Sequence, residues 1–268
     1  KKRARRIIPG YVVAVLVSTL VVGSLAPAAP HFFSNLGGMF VASLLLLGIP
    51  ATPPAFPGLH YQWVNGSLWT IAYEFRCYLL VALLGALGLV RRPIWFVSCA
   101  LLFLFALNEH LQRYFLWHGA QLFLGAPVAF FRFASIFFLG GCFYFFKDRI
   151  PFRPLLGFLA ATGFCLVAPR ARISEAAMVI FGGYLLFYLG GIRFRRLEHL
   201  RFPDISYGIY LYGWPVEGLW IWYSHGSPWI TFIGSTVICC GLGWLSWHFV
   251  ERLALTVKRK ISAPLPMA

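Results

Sequence analysis

The sequence predicts an all-α fold: a polytopic transmembrane helical bundle of about eight spans plus one re-entrant segment, forming a single membrane domain over residues 1–268. Two observations carry this. The chain is 60% hydrophobic and only 12% charged, about half the charge of a soluble domain, so the surface of a water-soluble globule cannot be built from it. Its mean hydropathy of +0.75 points to a chain whose outer face meets lipid. The net charge of +15 is then a matter of topology, since Lys and Arg gather in cytoplasmic loops. Nucleic acid is excluded as a partner.

The run Lys1-Lys2-Arg3-Ala4-Arg5-Arg6 is followed at once by an apolar stretch at about 7–26. This stretch is longer than a signal-peptide core and leads into a Pro-rich loop rather than a small-residue cleavage site, so it is a retained span. The chain opens on Lys1, which reads as the middle of a longer protein. Leu36–Pro50 is apolar but short, carries Gly37, Gly38 and Gly48, and lies between Pro-rich loops; it is the re-entrant piece. Further spans follow at about 67–90, 93–108, 127–146, 155–168, 175–190, 207–224 and 229–250.

Charge decides whether Leu36–Pro50 crosses. If it dips in and returns, eighteen of the 23 basic residues share one side: those before Ile7, Arg91 and Arg92, Lys147 to Arg153, Arg193 to Arg201, and Arg252 to Lys260. Arg113, Arg170 and Arg172 lie opposite, and Arg76 and Arg132 lie within the bilayer. The positive-inside rule therefore places both ends in the cytoplasm, with the protein in the inner (plasma) membrane. The six cysteines, Cys77, Cys99, Cys142, Cys165, Cys239 and Cys240, all lie in apolar stretches without ligand spacing. Neither a disulfide framework nor a metal site is expected.

Chemistry concentrates in three places. The segment Asn65-Gly66-Ser67-Leu68-Trp69-Thr70-Ile71-Ala72-Tyr73-Glu74-Phe75-Arg76 opens a span, with Ser67 able to cap it. Glu74 falls seven residues inside, about 10 Å below the helix end. An ionisable group at that depth needs a partner or water. Glu74 and Arg76 point nearly opposite ways. Each is either functional or structural, Glu74 as a helix tie and Arg76 as a snorkelling side chain.

The second cluster is Ile205-Ser206-Tyr207-Gly208-Ile209-Tyr210-Leu211-Tyr212-Gly213-Trp214-Pro215-Val216-Glu217. Pro215 predicts a kink that frees the carbonyl of Leu211. Tyr210, Trp214 and Glu217 share a face and suit either a wet cavity for a polar ligand such as a sugar or a helix interface. The third place is the basic mouth of the first span, where Arg3, Arg5 and Arg6 either clamp phosphate or only set topology. Glu251 reads as an anchor at a cytoplasmic helix end. Arg132 sits near an aromatic run with no partner legible in sequence, and Glu175 and Asp204 read as solvated.

The segments Gly66-Ser67-Leu68-Trp69-Thr70 with Glu74, Arg5-Arg6-Ile7-Ile8-Pro9-Gly10-Tyr11 and Ile205-Ser206-Tyr207-Gly208-Ile209-Tyr210-Leu211 resemble the acyltransferase-3 family of integral membrane O-acyltransferases, in register over nearly the whole chain. The resemblance implies transfer of an acyl group, often acetyl from acetyl-CoA, to a hydroxyl of an exopolysaccharide, O-antigen or lipo-oligosaccharide. It implies that Arg3 and Arg6 match an Arg-x-x-Arg motif engaging the acyl-CoA, with Arg5 beside them, and that Glu74 lies near the reaction channel. On this basis Glu74 and Arg76 are the catalytic candidates, and Tyr73, Tyr210, Trp214 and Glu217 the acceptor-binding ones. No bound cofactor is implied; acyl-CoA is the donor substrate.

Two departures from the family qualify this. Family members begin with two further spans, the first bearing the favoured catalytic His, so the base is expected outside this chain. Gly213 stands where many relatives carry His. A lipid-linked-sugar flippase and a non-catalytic remnant are the competing readings.

Overall fold

The computed structural model describes residues 2–25, 38, 40–41, 43, 55–107, 125–169, 174–192, 203–224 and 226–255. The predicted re-entrant segment, Leu36–Pro50, falls outside them apart from four isolated positions, and so do the loops carrying Arg113, Arg170, Arg172 and Arg193 to Arg201.

The described residues are helical, without a strand. Helix α1 (Lys2–Leu16) runs on through a π-helical stretch, Val17–Val22, into a last turn, Gly23–Leu25. There follow α2 (Trp69–Ala86), α3 (Pro93–Ala106), α4 (Pro127–Phe145) and α5 (Pro154–Val167). Helix α6 spans Ser174–Gly190 and has a π-helical middle, Met178–Gly182. Helix α7 is Ser206–Ser224, and α8 (Pro228–Ser246) continues into a π-helical turn, Trp247–Glu251.

These elements lie where the apolar stretches predict helices. Four of them are long and apolar enough to cross a membrane: Arg5–Leu25, Trp69–Ala86, Pro127–Phe145 and Pro228–Leu255. Helices α3, α5 and α6 are apolar but shorter, and α7 is long but rich in Tyr and Trp. The four long helices are compatible with a membrane protein.

Helix starts follow local chemistry. A proline opens α3, α4, α5 and α8, where its missing N–H costs nothing, and Arg92, Ala126, Arg153 and Ser227 before it are extended. Gly88, at φ 73°, ends the segment after α2 in a left-handed conformation that a side chain would resist.

The chain divides into two compact units, Lys1–Thr70 with Arg201–Ala268, and Ile71–Leu200. In the first, α7 and α8 touch backbone to backbone. A Cβ on Gly208 would lie 2.7 Å from the Cα of Gly243, and one on Gly243 would lie 2.9 Å from the carbonyl oxygen of Ile205. Small residues allow this approach where apolar surroundings give helices little other reason to associate. Helix α1 packs on α7 through Gly10, beneath the Tyr207 ring, and the Tyr207 hydroxyl donates to the carbonyl of Ile7 at 2.9 Å. The loop before α2 buries Phe56 with Val22, Val64 and Trp222.

The second unit is built on aromatic packing. Phe103 of α3 meets Phe130, Phe131 and Phe138 of α4 with ring centroids 5.5–6.3 Å apart. Phe143 of α4 stacks on Phe187 of α6 at 4.4 Å. Such pairs add about 0.5–1.5 kcal/mol each beyond area burial. Outward positions such as Leu102, Phe105, Leu155, Phe158 and Leu186 are exposed, as a lipid-facing surface requires.

The glycine contact gives a direct test. Gly208→Val should separate α7 from α8 and cost about 1–3 kcal/mol, whereas Gly241→Ala, which meets nothing within 4 Å, should be silent. Thermal unfolding of the detergent-solubilised variants distinguishes the two; equal stability would contradict the close crossing.

Candidate functional site

In the first unit, Pro215 removes the N–H that would otherwise bond the carbonyl of Leu211. That carbonyl is not left bare. The side-chain amide of Asn65 donates to it at 2.9 Å and donates again to the Ser18 hydroxyl oxygen at 2.9 Å. Asn65 Oδ1 accepts from the backbone N–H of Ser67 at 3.0 Å. Both amide hydrogens and the amide oxygen are therefore used, and this pattern fixes which way the amide faces. Asn65 is 4% exposed. It ties α1, α7 and the start of the α2 segment at one point.

The same segment takes up two of the predicted acceptor-binding residues. Tyr210 donates its hydroxyl to the carbonyl of Ser67 at 2.5 Å and meets the Thr70 hydroxyl. The Trp214 indole N–H donates to the carbonyl of Trp63 at 3.0 Å, and its ring fills the space over Gly66, where a Cβ would sit 2.6 Å away. Trp214 also packs against Tyr61 and Trp63. Tyr210 and Trp214 thus hold the loop before α2 against α7.

Glu217 lies elsewhere on α7. It lines a groove of about 550 Å³ between α7 and α8, with Ile209, Gly213, Thr231, Ser235 and Thr236 among the walls. A carboxylate and three hydroxyls in an otherwise apolar groove can bind a ligand that carries hydroxyl groups.

At the opposite end of α7 a charged cluster forms. The Arg6 guanidinium pairs with Asp204, whose other oxygen accepts from the Ser206 hydroxyl at 2.6 Å. Asp204 is therefore not merely solvated as the sequence suggests. The Ser206 hydrogen bond, aided by Arg6 and opposed by partial burial, holds its carboxyl below the usual range. Glu251, expected as an anchor, is fully buried on the π-helical turn; Oε1 accepts from the Ser246 hydroxyl at 2.9 Å and Oε2 has no partner among the described residues. Arg5 is exposed, and the backbone of Arg3 lies within α1.

In the second unit, the Tyr78 hydroxyl donates to Glu74 one turn earlier. Arg76 is buried, at 9% exposure, with its guanidinium 4.9 Å from the centre of the Tyr73 ring. Burial this deep disposes of the snorkelling alternative. The Tyr73 hydroxyl in turn accepts from the backbone N–H of Ala126 at 2.9 Å, just ahead of α4, where Gly125 adopts φ 73°. Tyr73 thereby joins α2 to the start of α4.

Arg132 of α4, without a partner in sequence, makes a two-pronged pair with Glu175 of α6, one arm at 2.7 Å. Glu175 is correspondingly paired rather than merely solvated. The 43-residue separation hides this pair from any local pattern, though two opposite charges in apolar surroundings were the available signal.

Comparison with known proteins adds one likeness. The chain is 25% identical over 272 residues to the O-acetyl transferase of Shigella phage Sf6, covering 95% of this chain and 76% of the phage protein. No family model matches the sequence, and no solved structure matches it.

Two outcomes are expected. Asn65→Ala strands the Leu211 carbonyl and the Ser67 N–H, a loss of about 2–4 kcal/mol. Pro215→Ala restores a backbone donor to Leu211, so in that background the loss should shrink by at least about 1 kcal/mol in a double-mutant cycle. Additive losses would contradict the exchange of donors. Second, because the Asp204 pKa is lowered on folding, its stabilisation is fully present above about pH 4 and lost as pH falls through the depressed value. Unfolding temperature against pH should therefore drop less steeply below pH 4 in Asp204→Asn than in the wild type.

Proposed function

We propose that the chain is a membrane O-acyltransferase that moves an acyl group, in the first instance acetyl, from cytoplasmic acyl-CoA to a hydroxyl of an envelope carbohydrate. Exopolysaccharide, O-antigen and lipo-oligosaccharide are the acceptor classes. The likeness to a phage O-acetyl transferase along 95% of the chain carries the proposal. Support comes from polar groups that an inert membrane anchor does not need: Glu74 and Arg76 on α2, Glu217 in its groove, and the arginines opening α1.

The reaction joins the acceptor hydroxyl oxygen to the thioester carbonyl carbon and breaks the carbon–sulfur bond. The hydroxyl proton ends on the departing CoA sulfur. Arg3, Arg5 and Arg6 hold donor phosphates, which suit the guanidinium fork. Glu217 and the groove hydroxyls bind acceptor hydroxyls, and Tyr210 and Trp214 act through the loop they brace. Glu74, oriented by Tyr78, lies near the reaction channel and orients the acceptor hydroxyl. Arg76, fixed over Tyr73, supplies positive charge for the oxyanion.

Membranes containing the full chain, supplied with acetyl-labelled acetyl-CoA, should form alkali-labile ester on endogenous glycan. Glu74→Gln should slow transfer about 10²-fold or more, and Arg6→Ala should raise the donor KM about tenfold. Absence of ester in wild-type membranes, or unimpaired transfer in both variants, overturns the reading. Movement of unmodified saccharide across the bilayer without acetylation would favour a flippase.

A further inference from the structure

Arg6, at the start of α1, is held by an acidic side chain from the far end of the chain. Asp204 pairs with it from the exposed side: the side chains are 38% and 43% exposed, and Ser206 steadies Asp204 through its second oxygen.

A carboxylate and a phosphate compete for the same guanidinium fork. An exposed ion pair is weak and exchangeable. A phosphate that displaces Asp204 therefore takes over the guanidinium fork that Asp204 held.

We propose that Asp204 is an intramolecular placeholder for donor phosphate: it occupies Arg6 in the empty protein, swings away with Ser206 when a CoA phosphate binds, and returns on release. The proposal rests on the acyl-CoA reading above and adds to it a contact that sets donor affinity.

Equilibrium binding of labelled acetyl-CoA to the detergent-solubilised full chain tests it. Asp204→Asn should bind acetyl-CoA about two- to fivefold more tightly than the wild type, the factor set by loss of one exposed competing pair. Ser206→Ala, which loosens Asp204 without removing its charge, should shift affinity in the same direction by less. S-acetylpantetheine, which has no phosphate, should show no gain in either variant. Arg6→Ala combined with Asp204→Asn should abolish the gain for acetyl-CoA.

Unchanged or weaker acetyl-CoA binding by both single variants, each shown by circular dichroism to be folded under the assay conditions, overturns the placeholder. An equal gain with S-acetylpantetheine does so as well. A wild-type protein that binds no acetyl-CoA overturns the donor assignment itself, a distinct result because it precedes any comparison of variants.

Discussion

A proline inside an apolar helix leaves one carbonyl without its backbone donor, and in surroundings without water that carbonyl must be satisfied by another segment. Here the carbonyl belongs to Leu211 and the donor is Asn65. The other hydrogen of the same amide goes to Ser18 on α1, and its oxygen receives the N–H of Ser67. A single buried side chain thus fixes the depth of the loop before α2, the approach of α1 to α7, and the point at which the next helix begins. Tyr210 and Trp214 repeat the arrangement on either side, each ending on a loop carbonyl. The loop is held by polar bonds at its base and by Phe56 burial above, so the segment leading into Glu74 enters its helix from a defined place.

Charge inside this fold follows a consistent rule. Arg132 has Glu175, Glu74 has the Tyr78 hydroxyl, Arg76 has the Tyr73 ring, and Arg6 has Asp204. Each pairing reduces the cost of placing an ionisable group near hydrocarbon. Glu217 is different in that it faces a groove of ligand size, and Glu251 in that one of its oxygens has no partner among the described residues. Both carboxyls lie in the unit containing α1, α7 and α8.

The candidate site was legible in its parts and not in its pairings. Glu74, Arg76, Arg132 and Glu217 stand out in sequence because charge is rare in apolar runs. The freed Leu211 carbonyl follows from Pro215 alone. What took it up could not be read, because Asn65 lies 146 residues away and a lone Asn ahead of a helix signals only a turn or cap. Asp204 and Glu175 read as solvated for the same reason: their partners, Arg6 and Arg132, are 198 and 43 residues distant. Tyr210 and Trp214 share a helical face with Glu217, yet the loop claims the first two and leaves the third to the groove.

By itself the sequence determined where the apolar helices lie. Sparse charge with long apolar runs is compatible with lipid-facing helices, whose backbone groups pair internally, and prolines and glycines mark where helices start, bend and stop. These are local consequences of covalent geometry and hydration, so they need no knowledge of neighbours. Tertiary structure alone decided which small residues meet, as Gly208 meets Gly243, and which donor serves which acceptor. Such choices depend on side chains brought together from opposite ends of the chain, and no window of sequence contains both partners.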